Sequence, residues 1–333
     1  MRPPVDITWA HWVGFIACVL VFLALDLGLF HRRAKVVTLA EALVWTGVWI
    51  CFALIFTMAM KNWRGPKEAL QFLTGYLIEV SLSLDNLFVI AVVFSWFSIA
   101  PRYQHRVLFW GILGALLMRG LLIGAGVALV SRLDWVLYLL GLLLLFSGIR
   151  ILFVRTKIEP EKNLVIRLVR RLFPVAPQME GQRFLTRWQG RLALTPMALV
   201  LLMVETTDLL FATDSIPAVF AVTTDPFIVF TSNIFAILGL RSLYFVLAGA
   251  IRSFRYLKVG LSIVLVFFGV KMLLDPHGRP ARWFQVEIPI SISLLVVGGI
   301  LLISIVLSLA APKRDEQSQS AEPALKKEAR RDG

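Results

Sequence analysis

The sequence predicts an all-α polytopic membrane protein with about nine transmembrane helices. Of its 333 residues, 58% are hydrophobic and only 17% are charged, whereas a soluble domain is about half apolar and a quarter charged. The apolar residues also form continuous runs, and about 20 such residues are enough for one helical crossing of a bilayer. This composition excludes soluble, disordered and disulfide-stapled proteins.

Nine apolar runs cover most of the chain. They span 10–30, 39–60, 69–98, 107–130, 134–154, 195–220, 226–248, 256–274 and 287–310. The predicted membrane domain therefore extends over residues 1–311 and contains one long basic loop at 155–194. Residues 312–333 form a polar tail, which we expect to be disordered because it has too few apolar residues to build a core.

The distribution of basic residues predicts how the chain is oriented. If the N-terminus is outside, 23 of the 34 Lys and Arg residues fall in cytoplasmic segments and 7 in external ones. Cytoplasmic loops of membrane proteins are enriched in Lys and Arg. We therefore predict an inner-membrane protein with an external N-terminus and a cytoplasmic C-terminus. The lipid bilayer then accounts for the net charge of +13, and no nucleic-acid partner is expected.

Spans three to five resemble spans six to eight. Each set carries two acidic residues six positions apart, followed one span later by an arginine: Glu79, Asp85 and Arg119 in 69–154, and Asp208, Asp214 and Arg241 in 195–274. Because each set has three spans, the second set enters the membrane from the opposite side. This pattern predicts inverted repeats, which in transporters place the substrate site near the midplane at the repeat interface.

Five carboxylates lie deep within spans three and six: Glu79, Asp85, Glu205, Asp208 and Asp214. An ionised carboxylate at mid-bilayer costs about 2.5 kcal/mol or more. We predict that the two deep arginines, Arg119 and Arg241, pair with these carboxylates, which leaves three negative charges for protons, a bound cation or both. The alternative is a buried ion-pair network whose surplus acids are protonated.

The side-chain types narrow the choice of cation. Asn86 and Ser215 follow the second acid of each span and complete a set of oxygen ligands. Hard oxygen ligands favour manganese, magnesium or calcium over copper or zinc. The ion would be a substrate, so no permanently bound cofactor is predicted. The sequence has no P-loop, nucleophile elbow, zinc helix or dinucleotide fingerprint, and we predict that it is not an enzyme.

Helix geometry constrains the acidic pairs. Residues six positions apart on a regular helix differ by about 600°, which leaves them about 120° apart around the axis. A regular helix would therefore point the two acids of each pair to different sides. Pro217 follows Asp214 by three residues and leaves two interpretations open. It is either a break that frees backbone carbonyls as ligands or an ordinary kink.

Four long motifs surround these acidic residues. They are FLTGYLIEVSLSLDNLF at 72–88, QHRVLFWG at 104–111, VETTDLLFATDSIPA at 204–218 and TSNIFAILGLRSLYF at 231–245. Together they resemble the TerC/Alx family of integral membrane proteins, and the resemblance runs from about residue 9 to 310.

The resemblance implies a multi-span inner-membrane protein near the lysine-exporter superfamily. Alx-type members are associated with manganese export, and other members carry the labels of tellurium resistance or redox modulation. The acids of spans three and six would then form the metal path. We therefore expect a divalent-cation transporter that exports manganese, with proton exchange on some of the same carboxylates. The alternatives are a non-transporting module, such as a membrane-protein assembly factor, and a tellurium-stress or redox component.

Overall fold

Helices and one small hairpin make up the described part of the chain. The computed structural model describes residues 7–30, 37–133, 135–153, 164–177, 181, 183–250, 256–275 and 285–310. Its elements are α1 (Trp9–Phe30), α2 (Leu39–Trp63), α3 (Pro66–Trp96), α4 (Pro101–Val130), α5 (Trp135–Phe153), α6 (Leu164–Leu172), β1 (Leu185–Trp188), β2 (Arg191–Leu194), α7 (Pro196–Phe220), α8 (Pro226–Ala250), α9 (Leu257–Leu274) and α10 (Ile290–Ala310).

The predicted fold class is confirmed. Among the described residues, eight helices are long and apolar enough to cross a membrane: α2 to α5 and α7 to α10. The first of the nine predicted spans corresponds to a shorter apolar helical stretch, Trp9–Ala24. The inverted relationship between the two three-helix sets stays a prediction.

Proline residues determine where several helices begin. Pro66, Pro101, Pro196 and Pro226 are the first residues of α3, α4, α7 and α8. This position suits proline because its missing N–H would have no partner in the first turn. As a result α4 begins six residues before the apolar run that starts at 107, and its first turns are polar.

The helices that carry the acidic pairs are continuous. α3 is helical from Pro66 to Trp96, and α7 continues through Pro217 to Phe220. The interpretation of Pro217 as a helix break is therefore wrong for this structure. Both helices instead keep the 120° separation that regular geometry imposes on residues six positions apart.

The centre of the bundle consists of α3, α4, α7 and α8. A Cβ atom added to Gly75 of α3 would lie 2.9 Å from Ser232 Oγ of α8 and 3.3 Å from Val219 Cγ1 of α7. A Cβ at Gly111 of α4 would lie 3.3 Å from Val204 Cγ1 of α7. Glycine at these positions lets the helices approach closely, as small residues do in membrane bundles.

A second close-packed unit is the pair formed by α5 and α9. A Cβ added to Gly148 of α5 would lie 2.9 Å from the backbone oxygen of Ser262, and one added to Gly269 of α9 would lie 2.7 Å from the backbone nitrogen of Leu145. The end of α5 thus meets the beginning of α9, so the two helices are antiparallel. Their backbones touch, and any larger residue at either glycine would separate them.

The segment 155–194, which the sequence presents as a loop, contains regular structure. Residues 164–172 form α6, and β1 pairs antiparallel with β2. Gln189 and Gly190 connect the strands with φ of 51° and 77°, as the two central residues of a type I′ turn require. A nine-residue helix and four-residue strands are too short to produce a transmembrane hydropathy signal, which explains the difference. The tail at 312–333 lies outside the described residues.

Candidate functional site

The centre of the bundle holds a network built on Arg119 of α4. Its Nε and Nη2 donate to the two carboxylate oxygens of Asp208 at 3.0 and 2.8 Å. Its Nη1 contacts Glu79 Oε1 and donates to Asn233 Oδ1 at 3.2 Å. Asn233 in turn donates to Glu79 Oε2 at 3.0 Å, and Asn86 donates to Asp208 Oδ1 at 2.8 Å. We call these five residues the Arg119 network; they join α3, α4, α7 and α8.

The Arg119 network is buried and carries more acid than base. Arg119 is 1% exposed and Glu79 is fully buried. A buried ion pair holds only if further hydrogen bonds satisfy the remaining polar atoms, and Asn86 and Asn233 supply them. The two-point contact with Asp208 is the strong geometry for a guanidinium and a carboxylate. One arginine neutralises one of two carboxylates, so the network retains one formal negative charge.

Asp85 and Asp214, which we call the second acids, are not part of this network. Both are half-buried. Asp214 accepts a hydrogen bond from Ser147 Oγ of α5 at 2.8 Å and is attracted by Arg150 on the same helix. Asp85 is attracted by Lys258 at the beginning of α9. Each second acid thus lies on the side of its helix that faces the α5–α9 pair.

The register between α3 and α7 places the four acids at two levels. Asn86 lies opposite Asp208, and Gly75 lies opposite Val219, so the two helices are antiparallel. Continuing this register puts Asp85 level with Asp208, and Asp214 level with Glu79. The two levels are six residues apart, or about 9 Å along the helix axes. Each level therefore combines one acid of the Arg119 network with one second acid.

Glu205 is the fifth deep acidic residue of these helices, and its surroundings differ from those of the other four. It is half-buried on α7, one turn before Asp208, which repels it. Its carboxylate lies directly over Gly114 of α4, where an added Cβ would overlap it. Any larger residue at position 114 would require the Glu205 side chain to move.

Several predicted ligands hold oxygen atoms without partners. Within the described residues, Asn86 Oδ1, Glu205 Oε2 and Ser215 Oγ are buried and have no hydrogen bond. An unpaired buried polar atom costs about 1–3 kcal/mol. Unpaired oxygens of this kind are the ligands that a hard cation takes, so these three fit the predicted oxygen-rich site.

The seven predicted ligands do not form one cluster. No three His, Cys, Asp or Glu side chains come close enough to hold a metal ion in the part of the chain that the structure describes. Glu79, Asp208 and Asn86 meet in the Arg119 network, and Asp85, Asp214, Glu205 and Ser215 lie outside it. Arg241 is half-buried on α8, about two turns beyond Asn233. The assignment of the seven residues as metal ligands stays a prediction.

Sequence reasoning missed two polar residues that position the acids, Asn233 and Ser147. Asn233 is fully buried in α8, inside the motif at 231–245. A lone asparagine in an apolar span is a usable signal, because buried polar groups require partners. Ser147 precedes Gly148, at which α5 lies against the backbone of α9.

Fold and site together define the class of protein. This is an integral multi-pass α-helical membrane protein whose centre holds a buried arginine and a surplus of carboxylates. The chain belongs to the TerC family, since the family model described as "Integral membrane protein TerC family" matches residues 64–316.

Several relatives are similar along nearly the whole chain. A Myxococcus xanthus membrane protein, STKORF319, is 51% identical over 315 residues, which cover 94% of this chain and 96% of the relative. Alx of Escherichia coli (strain K12), whose name describes a membrane-bound redox modulator, is 43% identical over 310 residues, or 89% of this chain and 93% of Alx. No solved structure matches.

Proposed function

We propose that this protein is an inner-membrane transporter of divalent cations that exports manganese, with its N-terminus outside and its C-terminus in the cytoplasm. The observation that carries the proposal is the state of the acids outside the Arg119 network. Asp85, Asp214 and Glu205 lie in membrane-spanning helices. Asn86, Ser215 and Glu205 each have a buried oxygen that has no hydrogen-bond partner among the described residues. A divalent cation supplies the contacts that these oxygens lack.

The two levels of acids support a stepwise path. An ion at the level of Asp85 would meet Asn86 on the same helix, and an ion at the level of Asp214 would meet Ser215. A step of about 9 Å separates these positions. Both offer only oxygen ligands, which suits Mn²⁺ and other hard cations. When no metal is bound, a proton on the same carboxylate keeps the buried charge balanced, and this provides for exchange of metal against protons.

Purified full-length protein in liposomes tests the proposal directly. A manganese-quenched dye is enclosed in the liposomes, and Mn²⁺ is added outside with and without a pH gradient. We expect faster quenching than in protein-free liposomes and a rate that depends on the pH gradient. Folded, reconstituted protein that moves no manganese under any gradient would contradict the proposal and favour the non-transporting module.

The name of the Alx relatives raises redox modulation as the competing function. The sequence has two cysteines, and both Cys18 and Cys51 are free and exposed on α1 and α2. They lie outside the proposed path. We therefore expect the double variant Cys18→Ser/Cys51→Ser to transport manganese at the rate of the unmodified protein. A flux that disappears in this variant would instead indicate a thiol-dependent function.

A further inference from the structure

A strongly basic surface lies at the membrane face where α4 and α7 begin. It consists of the first turns of α4, the helix α6, the segment that follows it and the β1–β2 hairpin, and we call it the arginine surface. Its described residues include no Asp or Glu. They include eight arginines: Arg102, Arg106, Arg167, Arg170, Arg171, Arg183, Arg187 and Arg191.

The helix α6 has a basic side and an apolar side. At 100° per residue, its three arginines fall within an arc of about 100°, and its apolar residues occupy the remaining circumference. Ile166 is 2% exposed and packs in the cluster that includes Met197 and Val200 of α7. Leu168 and Leu172, at the far edge of the apolar side from Ile166, are 57% and 63% exposed. Part of the apolar side therefore holds α6 on the protein, and the rest is available to another apolar medium.

The hairpin, like α6, combines exposed leucines with arginines. On its outer face Leu185 and Leu192 are exposed, and Arg187 is paired directly opposite Leu192. The segment after α6 joins this sheet, because Leu194 N donates to Pro174 O and Ala176 N donates to Leu194 O, both at 2.9 Å. Helix and hairpin thus form one continuous unit.

Contacts with α4 and α7 hold this unit at the membrane boundary. The Phe184 ring lies edge-on to Trp110 at 6.4 Å, and the Arg106 guanidinium stacks over it at 5.4 Å. Thr195, directly after β2, caps α7 by accepting from Ala198 N. The arginine surface is therefore fixed at the ends of two membrane-spanning helices.

We propose that the arginine surface binds the anionic headgroups of phospholipids in the bilayer that holds the protein. Exposed leucines beside arginines at a membrane boundary have the composition of an interfacial helix, whose apolar side enters the acyl boundary. The planar guanidinium group matches a phosphate with two hydrogen bonds. An anionic phospholipid supplies both partners of this surface, a negatively charged headgroup for the arginines and acyl chains for the exposed leucines. The proposal does not depend on which ion the protein transports.

Lipid retention measured by native mass spectrometry of the full-length protein tests this binding. The variant Arg167→Gln/Arg170→Gln/Arg171→Gln removes three charges from α6. The control Lys61→Gln/Lys67→Gln/Arg132→Gln removes three exposed charges at the opposite ends of α2, α3 and α4. We expect the unmodified protein and the control to retain phosphatidylglycerol in preference to phosphatidylcholine. The α6 variant should lose this preference, on the order of fivefold for each arginine. Equal phosphatidylglycerol retention by the two variants would overturn the proposal.

The position of α6 relative to the bilayer gives a second, independent measurement. In a Cys18→Ser/Cys51→Ser background, a polarity-sensitive dye is attached at Leu172→Cys, and the protein is placed in vesicles with and without phosphatidylglycerol. We expect lipid-attached quenchers to reach the dye, and more strongly when phosphatidylglycerol is present. A dye that only aqueous quenchers reach, or that neither quencher reaches because a protein or a second copy covers it, would overturn the lipid assignment.

Discussion

The Arg119 network and the second acids place the same residue types on the same two helices in different surroundings. Glu79 and Asp208 are buried and share a guanidinium. Asp85 and Asp214 are half-buried, and each lies on the other side of its helix, towards the α5–α9 pair. Each pair consists of two carboxylates, but their basic neighbours differ. Arg119 binds Glu79 and Asp208, whereas Lys258 attracts Asp85 and Arg150 attracts Asp214.

This difference indicates that the network acid and the second acid of each helix have different roles. A carboxylate held by a buried arginine at two points cannot release that partner without leaving a charge unpaired, at a cost of several kcal/mol. A half-buried carboxylate that no arginine holds at two points keeps lone pairs available for a mobile ion. We therefore infer that the Arg119 network holds the four central helices together, while the second acids carry the exchangeable cation.

Replacing Arg119 should have the largest effect. Arg119→Gln would leave Glu79 and Asp208 buried without a positive charge, and breaking a buried ion pair in this way costs about 3–5 kcal/mol. We expect most of the protein to be lost from the folded fraction, as measured by size-exclusion chromatography and thermal unfolding in detergent. Arg150→Gln, at an exposed position of α5, is the matched control and should fold normally. An Arg119→Gln protein as stable as this control would show that the network is not structural.

Neutralising a second acid should spare the fold and strongly reduce transport. Asp85→Asn and Asp214→Asn keep the size of the side chain and one oxygen, and neither residue belongs to the Arg119 network. We expect manganese flux per folded protein to fall by about 10-fold or more, since removing even a supporting partner of a metal ligand costs about 10–100-fold in affinity. Glu68→Gln, on the first turn of α3, serves as the control and should retain flux. Full flux in either second-acid variant would contradict a path that uses both levels.

Two glycines of α4 allow a matched test of Glu205. A Cβ at Gly114 would overlap the Glu205 carboxylate, whereas a Cβ at Gly124 would meet no atom within 4 Å. Gly114→Ala should displace Glu205 and destabilise the protein by about 1–3 kcal/mol, as overpacking does. Gly124→Ala should be neutral or stabilising by up to about 1 kcal/mol, because alanine favours the helix. Equal unfolding temperatures for the two variants would show that Glu205 moves away from α4 freely.

Much of this arrangement follows from the sequence. The apolar runs place the membrane-spanning helices to within a few residues, except at the polar first turns of α4. The six-residue spacing, combined with regular helices, already requires that Glu79 and Asp85 face different sides. The spacing does not reveal which acid faces Arg119, because that depends on how α3 and α7 are rotated against α4.

The basic segment at 155–194 shows a different limit of sequence reasoning. Hydropathy detects elements that cross the membrane, and α6 with its hairpin lies at the boundary instead. The amphipathic period of α6 is present in LVIRLVRRL, but nine residues give a weak signal beside long apolar runs. Gln189 and Gly190 form a turn that becomes recognisable once the flanking strands are paired.

The smallest expected effect concerns the hydrogen bond that Ser147 donates to Asp214. Ser147→Ala removes this donor and leaves the carboxylate charge in place, so the fold and the path should both remain. We expect the manganese concentration for half-maximal flux to rise about fivefold, which corresponds to about 1 kcal/mol for one hydrogen bond. Ser131→Ala, whose hydroxyl donates to Ala128 O at the end of α4, is the control and should behave like the unmodified protein. A loss as large as that of Asp214→Asn would make Ser147 a ligand in its own right, and an unchanged half-maximal concentration would mean that Asp214 needs no support from α5.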